Sequence, residues 1–266
     1  MQVIGLCRFS YPALGGFQRE HETIEQRKAF LYDTARLRNR LRLFQSFNLP
    51  SILAQTDTDF QFLILIGDDL PNWARERLHD LTATADHIKI LSRPPKPHRQ
   101  IAAQVILNHV DATHSHSIQF RLDDAVHRSF VERLKNDAAS GITAYAAKPR
   151  FALDYARGYA IRPTAEGVHA QELVRNLWTP ALAAVFKTSA ENTIMNFGHH
   201  KLDQHMPVIS DWETPMFLRS FHNENDSASA RELDRFNFAP LTPQQQHFNT
   251  EFNVDVEKVK TLWTDA

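Results

Sequence analysis

The sequence has a single cysteine, Cys7, among its 266 residues. One cysteine excludes an internal disulfide framework and a cysteine-based zinc ribbon, and it makes a reducing compartment the default location. The N-terminal apolar run, residues 3–7, is too short for a signal peptide, and no segment approaches the roughly 20 apolar residues of a membrane span. We therefore expect a cytoplasmic protein, with peripheral attachment at the inner membrane as the alternative.

The chain also lacks an excess of charge of either sign. Its 30 lysines and arginines balance 31 aspartates and glutamates, and the net charge is −1. This balance disfavours a nucleic acid partner. The glycine-rich fingerprints of phosphate loops and dinucleotide sites are absent, and no Gly-x-Ser-x-Gly elbow supports a serine nucleophile. A composition of 42% hydrophobic and 23% charged residues is that of an ordinary globular protein.

Strand-like runs alternate with helical stretches in the first half of the chain. The runs cover residues 3–7, 60–67, 87–91 and 117–122, and the alternation predicts an α/β fold with a parallel sheet. Residues 62–66 are continuously apolar, as expected for a central strand covered on both faces. Further strands, mixed or antiparallel, are expected over residues 142–147, 158–162 and 181–186. Residues 223–246 are polar and predict a surface loop, and residues 254–263 predict a short docking helix.

Two predicted helices bring basic residues toward the sheet. Residues 34–47 form an amphipathic pattern, with Leu37 and Leu41 on the apolar face. The same helix has arginines at 36, 38, 40 and 42, and we interpret them as a solvated face, with contact to phosphate or anionic lipid as the alternative. A helix over residues 98–109 places Arg99 at its N-terminus, where backbone donors and a cation together suit a diphosphate.

Polar side chains follow three of the predicted parallel strands. The carboxyl ends of such strands share one edge of the sheet, which is where open α/β sheets bind ligands. At this edge Arg8 could meet a phosphate and Asp68 a base or ribose, and Phe9 could stack on a base. Asp123 and Asp124 could hold a hard divalent cation. The alternative for the Asp pair is a helix N-cap.

A second group of candidates lies later in the chain. His200 and Asp203 are three residues apart, so that one helical turn places them on the same face. Asp203 could take a proton from an attacking hydroxyl, and a histidine could orient it or bind metal. His222 follows a predicted strand over residues 215–221 and is a candidate metal ligand or diphosphate donor. The alternative for both groups is an ordinary polar loop.

Two segments resemble a known family. Leu49-Pro50-Ser51-Ile52, continuing to Gly67-Asp68-Asp69-Leu70-Pro71, and Arg121-Leu122-Asp123-Asp124-Ala125-Val126 resemble the bacterial family of putative rhamnosyltransferases, which is related to A-type nucleotide-sugar glycosyltransferases. The similarity runs from residue 3 to about residue 227. It implies a single Rossmann-like GT-A glycosyltransferase domain with a mixed central sheet over residues 1–227, followed by a C-terminal extension over 228–266.

The resemblance also implies roles for particular residues. An acidic metal motif falls on Asp123 and Asp124, a catalytic carboxylate on Asp203, and a histidine near the end of the catalytic region on His222. We therefore expect Asp203 as the base, with His200 beside it, and Mg or Mn held by Asp124 and His222. Relatives carry a longer acidic run or Asp-x-Asp. Substitution of a metal ligand by His127, or neutralisation of the diphosphate by Arg8 and Arg99 without metal, are the alternatives.

The expected function is transfer of a sugar, rhamnose by the family's name, from a nucleoside-diphosphate donor to a hydroxyl acceptor with inversion. The acceptor could be a glycan, a lipid or a small molecule. Two alternatives are a metal-dependent phosphoesterase, because aspartates and histidines suit two-metal hydrolysis, and a catalytically silent nucleotide-binding protein.

Overall fold

A computed structural model describes residues 1–15, 21–222, 235–241 and 245–264. In these ranges the chain forms two sheets with helices packed around them. The larger sheet contains β1 (Gln2–Arg8), β2 (Gln61–Gly67), β3 (Ile88–Arg93), β4 (His116–Arg121), β6 (Arg150–Tyr155), β9 (Leu182–Lys187) and β10 (Val208–Asp211). The smaller sheet contains β5 (Ala125–Val126), β7 (Arg157–Thr164), β8 (Gly167–Val174), β11 (Phe217–Ser220) and β12 (Ala239–Pro240). The α-helices are α1 (Ile24–Leu31), α2 (Thr34–Leu43), α3 (Leu49–Leu53), α4 (Asn72–Thr82), α5 (His98–Leu107), α6 (Phe130–Ala144), α7 (Gln245–Phe252) and α8 (Val256–Thr264).

The parallel half of the larger sheet agrees with the prediction. Its strand order is β10-β6-β9-β4-β1-β2-β3, and β3, β2, β1 and β4 pair in parallel. On β2, Ile64 faces one apolar cluster, whereas Leu63 and Leu65 face another. Because both faces are covered, the strand is apolar at consecutive positions. The carboxyl ends of β1 and β4 consequently lie side by side.

The other half of the sheet is mixed. Strand β9 runs antiparallel to both β4 and β6, and β10 runs parallel to β6. The predicted α/β fold with a mixed central sheet is therefore confirmed. The strands expected over 158–162 and 181–186 are also confirmed as parts of β7 and β9, whereas β6 and β8 were not predicted.

The strand expected over residues 142–147 is wrong. Residues 142–144 are the last turn of α6, and a turn follows them. Phe130, Leu134 and Ala138 of this helix are buried against the sheet. Gly141 lies so close to Phe151 that a Cβ built on it would be 2.3 Å from the ring. This close packing extends the helix through a segment whose local composition favours a strand.

The C-terminal helices pack on the smaller sheet. The predicted docking helix is confirmed as α8, which contacts β7 and β8. Phe248 and Phe252 of α7 are fully buried in the same cluster as Leu43 and Phe47. Much of the predicted loop, residues 223–234 and 242–244, lies outside the described residues, as does the predicted domain boundary after residue 227. Within the rest, β12 pairs with β8. Among the described residues, no helix is both long enough and apolar enough to cross a membrane.

Candidate functional site

A cleft of about 350 Å³ opens at the carboxyl ends of β1 and β4. Its remaining walls come from α2, the N-terminus of α5, residues 198–200 and the end of β11. The charged and imidazole side chains that line it are Arg8, Arg36, Arg40, Arg99, Arg121, Asp123, Asp124, His98, His199, His200, Arg219 and His222.

Six of the nine residues predicted from the sequence line this cleft: Arg8, Arg99, Asp123, Asp124, His200 and His222. The parallel register explains the first group, because the backbone N–H of Leu122 bonds to Leu6 O and places the residues after β4 beside the end of β1. Asn48 fixes the same loop, since its Nδ2 donates to Asp124 O at 2.8 Å. The structure thus brings together residues that are more than 200 positions apart in the chain.

Phe9 does not line the cleft, and its predicted stacking on a base is wrong. Its side chain is 1% exposed and belongs to the core, where the ring meets Phe44 edge-on with centroids 5.9 Å apart. The chain turns sharply after it, because Ser10 adopts a φ of 46°. Phe9 therefore supports the wall of the cleft from behind.

Asp68 and Asp203 also lie elsewhere. Asp68 is exposed beyond the end of β2, where its backbone carbonyl accepts a bond from Arg75 Nη2 at 2.6 Å. Asp203 is exposed on the 3₁₀ helix His199–Gln204 and is not part of the cleft lining. A 3₁₀ helix rises about 2 Å per residue, so Asp203 lies about 6 Å farther along the axis than His200. The geometry contradicts the prediction that Asp203 is the base.

Asp123 is a carboxylate that water can reach from the cleft. One of its oxygens, Oδ1, lies 3.4 Å from the backbone nitrogen of Arg8 and 3.5 Å from the thiol of Cys7. Burial among protein atoms acts to raise the pKa of Asp123, but Arg40, Arg8 and Arg219 outweigh it and hold the pKa below its ordinary value. The pKa of Cys7 is raised by burial and by Asp123. Asp123 is therefore ionised and Cys7 is a neutral thiol.

Asp124 makes structural bonds with both of its oxygens. Oδ2 accepts a bond from Arg219 Nη1 at 2.8 Å, and Oδ1 accepts bonds from the backbone nitrogen of Ser220 at 2.8 Å and from its hydroxyl at 2.6 Å. The carboxylate is 4% exposed. It ties the loop after β4 to β11, and it does not cap a helix, because α6 begins only at Phe130.

The predicted metal pair does not fit a divalent cation. A guanidinium group occupies the side of Asp124 where the ion would bind, and the pKa of His222 is lowered to about 3 by burial and by nearby Arg40 and Arg219. The alternative ligand His127 lies away from the cleft, with Nδ1 2.8 Å from Ser129 Oγ. Within the described parts of the chain, no group of three or more His, Cys, Asp or Glu side chains is arranged to hold a metal ion.

The arginines of α2 contribute to the site in a way that the sequence analysis missed. Arg36 and Arg40 line the cleft, and Arg36 is only 5% exposed. Arg42 faces away and donates to Leu262 O, whereas Arg38 is exposed. The interpretation as a solvated face is therefore wrong for Arg36. The signal was the spacing of four residues between Arg36 and Arg40, which places them on one helix face.

Three of the cleft histidines are held neutral near pH 7. Burial and neighbouring arginines lower the pKa of His98 and of His199 to about 4, and the pKa of His222 to about 3. The positive charge of the cleft therefore comes from its guanidinium groups. Guanidinium groups bind phosphate oxygens through paired N–H donors, so the arrangement suits an anionic ligand of more than one phosphate.

The sequence profile of a family described as "Putative rhamnosyl transferase" matches residues 2–233. No curated protein matches the chain. Three solved structures are similar at low identity. TarS 1–349 of S. aureus in complex with UDP is 11% identical, with 100% of this chain and 91% of that chain covered and a TM-score of 0.45.

A further S. aureus TarS 1–349 structure is 11% identical over 83% of this chain and 60% of that chain, with a TM-score of 0.42. The 4-diphosphocytidyl-2C-methyl-D-erythritol synthase of Anaerococcus prevotii is 11% identical over 79% of this chain and 86% of that chain, with a TM-score of 0.34. Overlaps this low do not transfer a substrate to this chain.

Proposed function

Since the chain belongs to a family of sugar-transferring enzymes, the one described as "Putative rhamnosyl transferase", we propose that it moves a sugar from a nucleoside-diphosphate donor to a hydroxyl acceptor. The observation that carries the proposal is the arginine-rich cleft at the carboxyl ends of β1 and β4. Open α/β sheets bind ligands at this edge, and a diphosphate is the anionic part of such a donor. Rhamnose is the first sugar to test, and the acceptor stays open.

In this proposal the diphosphate lies between Arg8 and Arg99. Arg8 ends β1, and Arg99 is in the first turn of α5. No side chain caps the N-terminus of α5, so its first backbone N–H groups add donors for a phosphate oxygen. Asp123 is the ionised carboxylate within the cleft, and a ribose hydroxyl is a suitable donor to it.

His200 is the proposed general base. An inverting transfer needs a base on the face of the sugar opposite the leaving diphosphate. The imidazole of His200 lines the cleft on the loop after β9, whereas Arg99 enters from α5. The acceptor oxygen bonds to the anomeric carbon and gives its proton to the imidazole. The bond from that carbon to the diphosphate oxygen breaks, and its electron pair leaves with the diphosphate, which the arginines stabilise.

Release of nucleoside diphosphate from a panel of nucleoside-diphosphate sugars tests the proposed function. Glycan, lipid-linked and small hydroxyl compounds serve as acceptors. We expect turnover with at least one donor, and a product of inverted configuration by NMR. Hydrolysis of phosphoesters instead of transfer would favour a phosphoesterase, and nucleotide binding without turnover would favour a silent binding protein.

Substitution of the proposed base tests its role. General-base assistance contributes typically 10²–10⁴-fold, so His200→Gln should lower kcat by about that factor while donor affinity changes little. Asp203→Asn is the matched control, because Asp203 lies on the same 3₁₀ helix but outside the cleft lining. If Asp203→Asn lowers kcat and His200→Gln does not, the assignment of the base is reversed.

A further inference from the structure

Positive charge in the cleft exceeds the negative charge that its own carboxylates supply. Six arginines from five elements line it, against two aspartates among the described residues. One of these aspartates, Asp124, is already bound to Arg219. Asp123 is then the carboxylate that faces the five other arginines. An excess of like charge at this density destabilises the empty site, and a bound polyanion removes that repulsion.

Arg121 is the arginine that depends most on a ligand. It is the last residue of β4, and its Nε is buried without a hydrogen-bond partner among the described residues. Its pKa is lowered to about 10, first by burial and then by Arg8, with Arg99 and Arg219 acting in the same direction and Asp123 opposing them. Buried donors are normally hydrogen-bonded, so an Nε–H left free here is suited to an acceptor that arrives with a ligand.

We infer that the diphosphate is neutralised in this cleft by arginine side chains, with Arg121 at the centre, and not by a divalent metal ion. The inference rests on the proposed function for the identity of the ligand. Two further observations favour it: Arg219 occupies the carboxylate that a metal would need, and the described residues offer no third ligand. Bidentate guanidinium groups supply both the charge and the directed donors that a metal supplies in other sites.

Titration calorimetry with inorganic pyrophosphate, and with UDP, dTDP and GDP, tests the inference without knowledge of the sugar. Each titration is done once with excess EDTA and once with Mn²⁺. We expect pyrophosphate and at least one nucleotide to bind with similar affinity in both conditions, and to bind more weakly as salt is raised. Activity toward the correct donor should also survive EDTA.

Two variants of arginine separate the ligand-binding role from a structural one. Arg121→Gln should weaken pyrophosphate binding roughly 10- to 150-fold, the range of one charge-assisted hydrogen bond. It should also melt at or above the wild-type temperature in phosphate-free buffer, because a repulsive charge has been removed. Arg38→Gln, on the exposed face of α2, should change neither quantity. If Arg121→Gln does not fold, Arg99→Gln replaces it, because Arg99 is exposed.

The possible failures are distinguishable. Binding that disappears with EDTA and returns with Mn²⁺ overturns the inference and leaves the proposed function standing. Absence of diphosphate binding under both conditions overturns both. A variant Arg121→Gln that loses stability but keeps its affinity for pyrophosphate assigns Arg121 to the fold and also overturns the inference.

Discussion

Substitution of Asp124 by Asn separates a structural role from the metal role predicted for this residue. The change keeps the shape of the side chain but removes its charge. Asn can still accept from Ser220, whereas its amide meets the guanidinium of Arg219, now 2.8 Å from Asp124 Oδ2. The Arg219 side chain is 15% exposed and that of Asp124 5%, so the remaining charge would be poorly hydrated.

The expected loss of stability follows from this burial. Removal of one partner of a buried ion pair costs about 3–5 kcal/mol. Because Arg219 also borders the open cleft and Asn keeps one acceptor, we expect about 2–4 kcal/mol for Asp124→Asn. At about 2–4 °C per kcal/mol for a chain of this size class, the melting temperature should fall by about 5–15 °C.

Urea denaturation and thermal melting measure the effect. Asp203→Asn is the control, because an exposed aspartate with no such partners should change stability by no more than about 0.5 kcal/mol. A double-mutant cycle with Arg219→Gln should give a coupling energy of about 0.5–3 kcal/mol. Wild-type stability of Asp124→Asn together with loss of Mn²⁺ binding would refute the reasoning and restore the metal-ligand role.

Three further predictions concern the core, the C-terminal helices and the pH dependence. Phe9→Ala should destabilise the fold by about 3–5 kcal/mol and Phe9→Leu by less, and nucleotide affinity of Phe9→Leu by calorimetry should stay near wild type; a selective loss of affinity would return Phe9 to the binding site. Phe252→Ala should lower stability in urea by a similar 3–5 kcal/mol, because the ring is fully buried, and a cost below about 1 kcal/mol would contradict the packing of α7. The pKa of His222 falls to about 3 in the folded state, below its value near 6.5 in the unfolded chain. The unfolded state therefore binds protons first, and the stability contributed by a neutral His222 is present above pH 6.5 and lost as the pH falls toward 3. His222→Gln should flatten the dependence of unfolding free energy on pH between 6.5 and 4, and an unchanged slope would refute the shift.

The parallel half of the sheet could be predicted because its strands are short apolar runs separated by helical patterns. Once that order is known, the positions of Arg8 and Asp123 follow, since parallel strands end at one edge. The sequence around residue 142 was misleading, because the close contact between Gly141 and Phe151 extends α6. That contact joins two elements and leaves no trace in a local pattern.

The partners of the site residues were less predictable. Asp124 binds Arg219, 95 residues away, and no local spacing indicates that pair. Phe9 follows a strand, and its position alone does not say whether its ring faces the cleft or the core. Arg36 and Arg40 were present in the pattern as an i, i+4 pair, but their interpretation depended on which face of α2 points toward β1.

The closure of the smaller cluster by α7 and α8 has a consequence for synthesis of the protein. Asn253 donates to the carbonyl of Pro50 across 203 residues, and Trp263 packs edge-on against Phe47. At roughly 5–20 residues per second on the ribosome, about 10–40 s separate the two halves of this contact. During that time Leu43 and Phe47 lack their cover, so the nascent chain has an apolar surface that chaperones can bind, and chains that stop before residue 245 should aggregate.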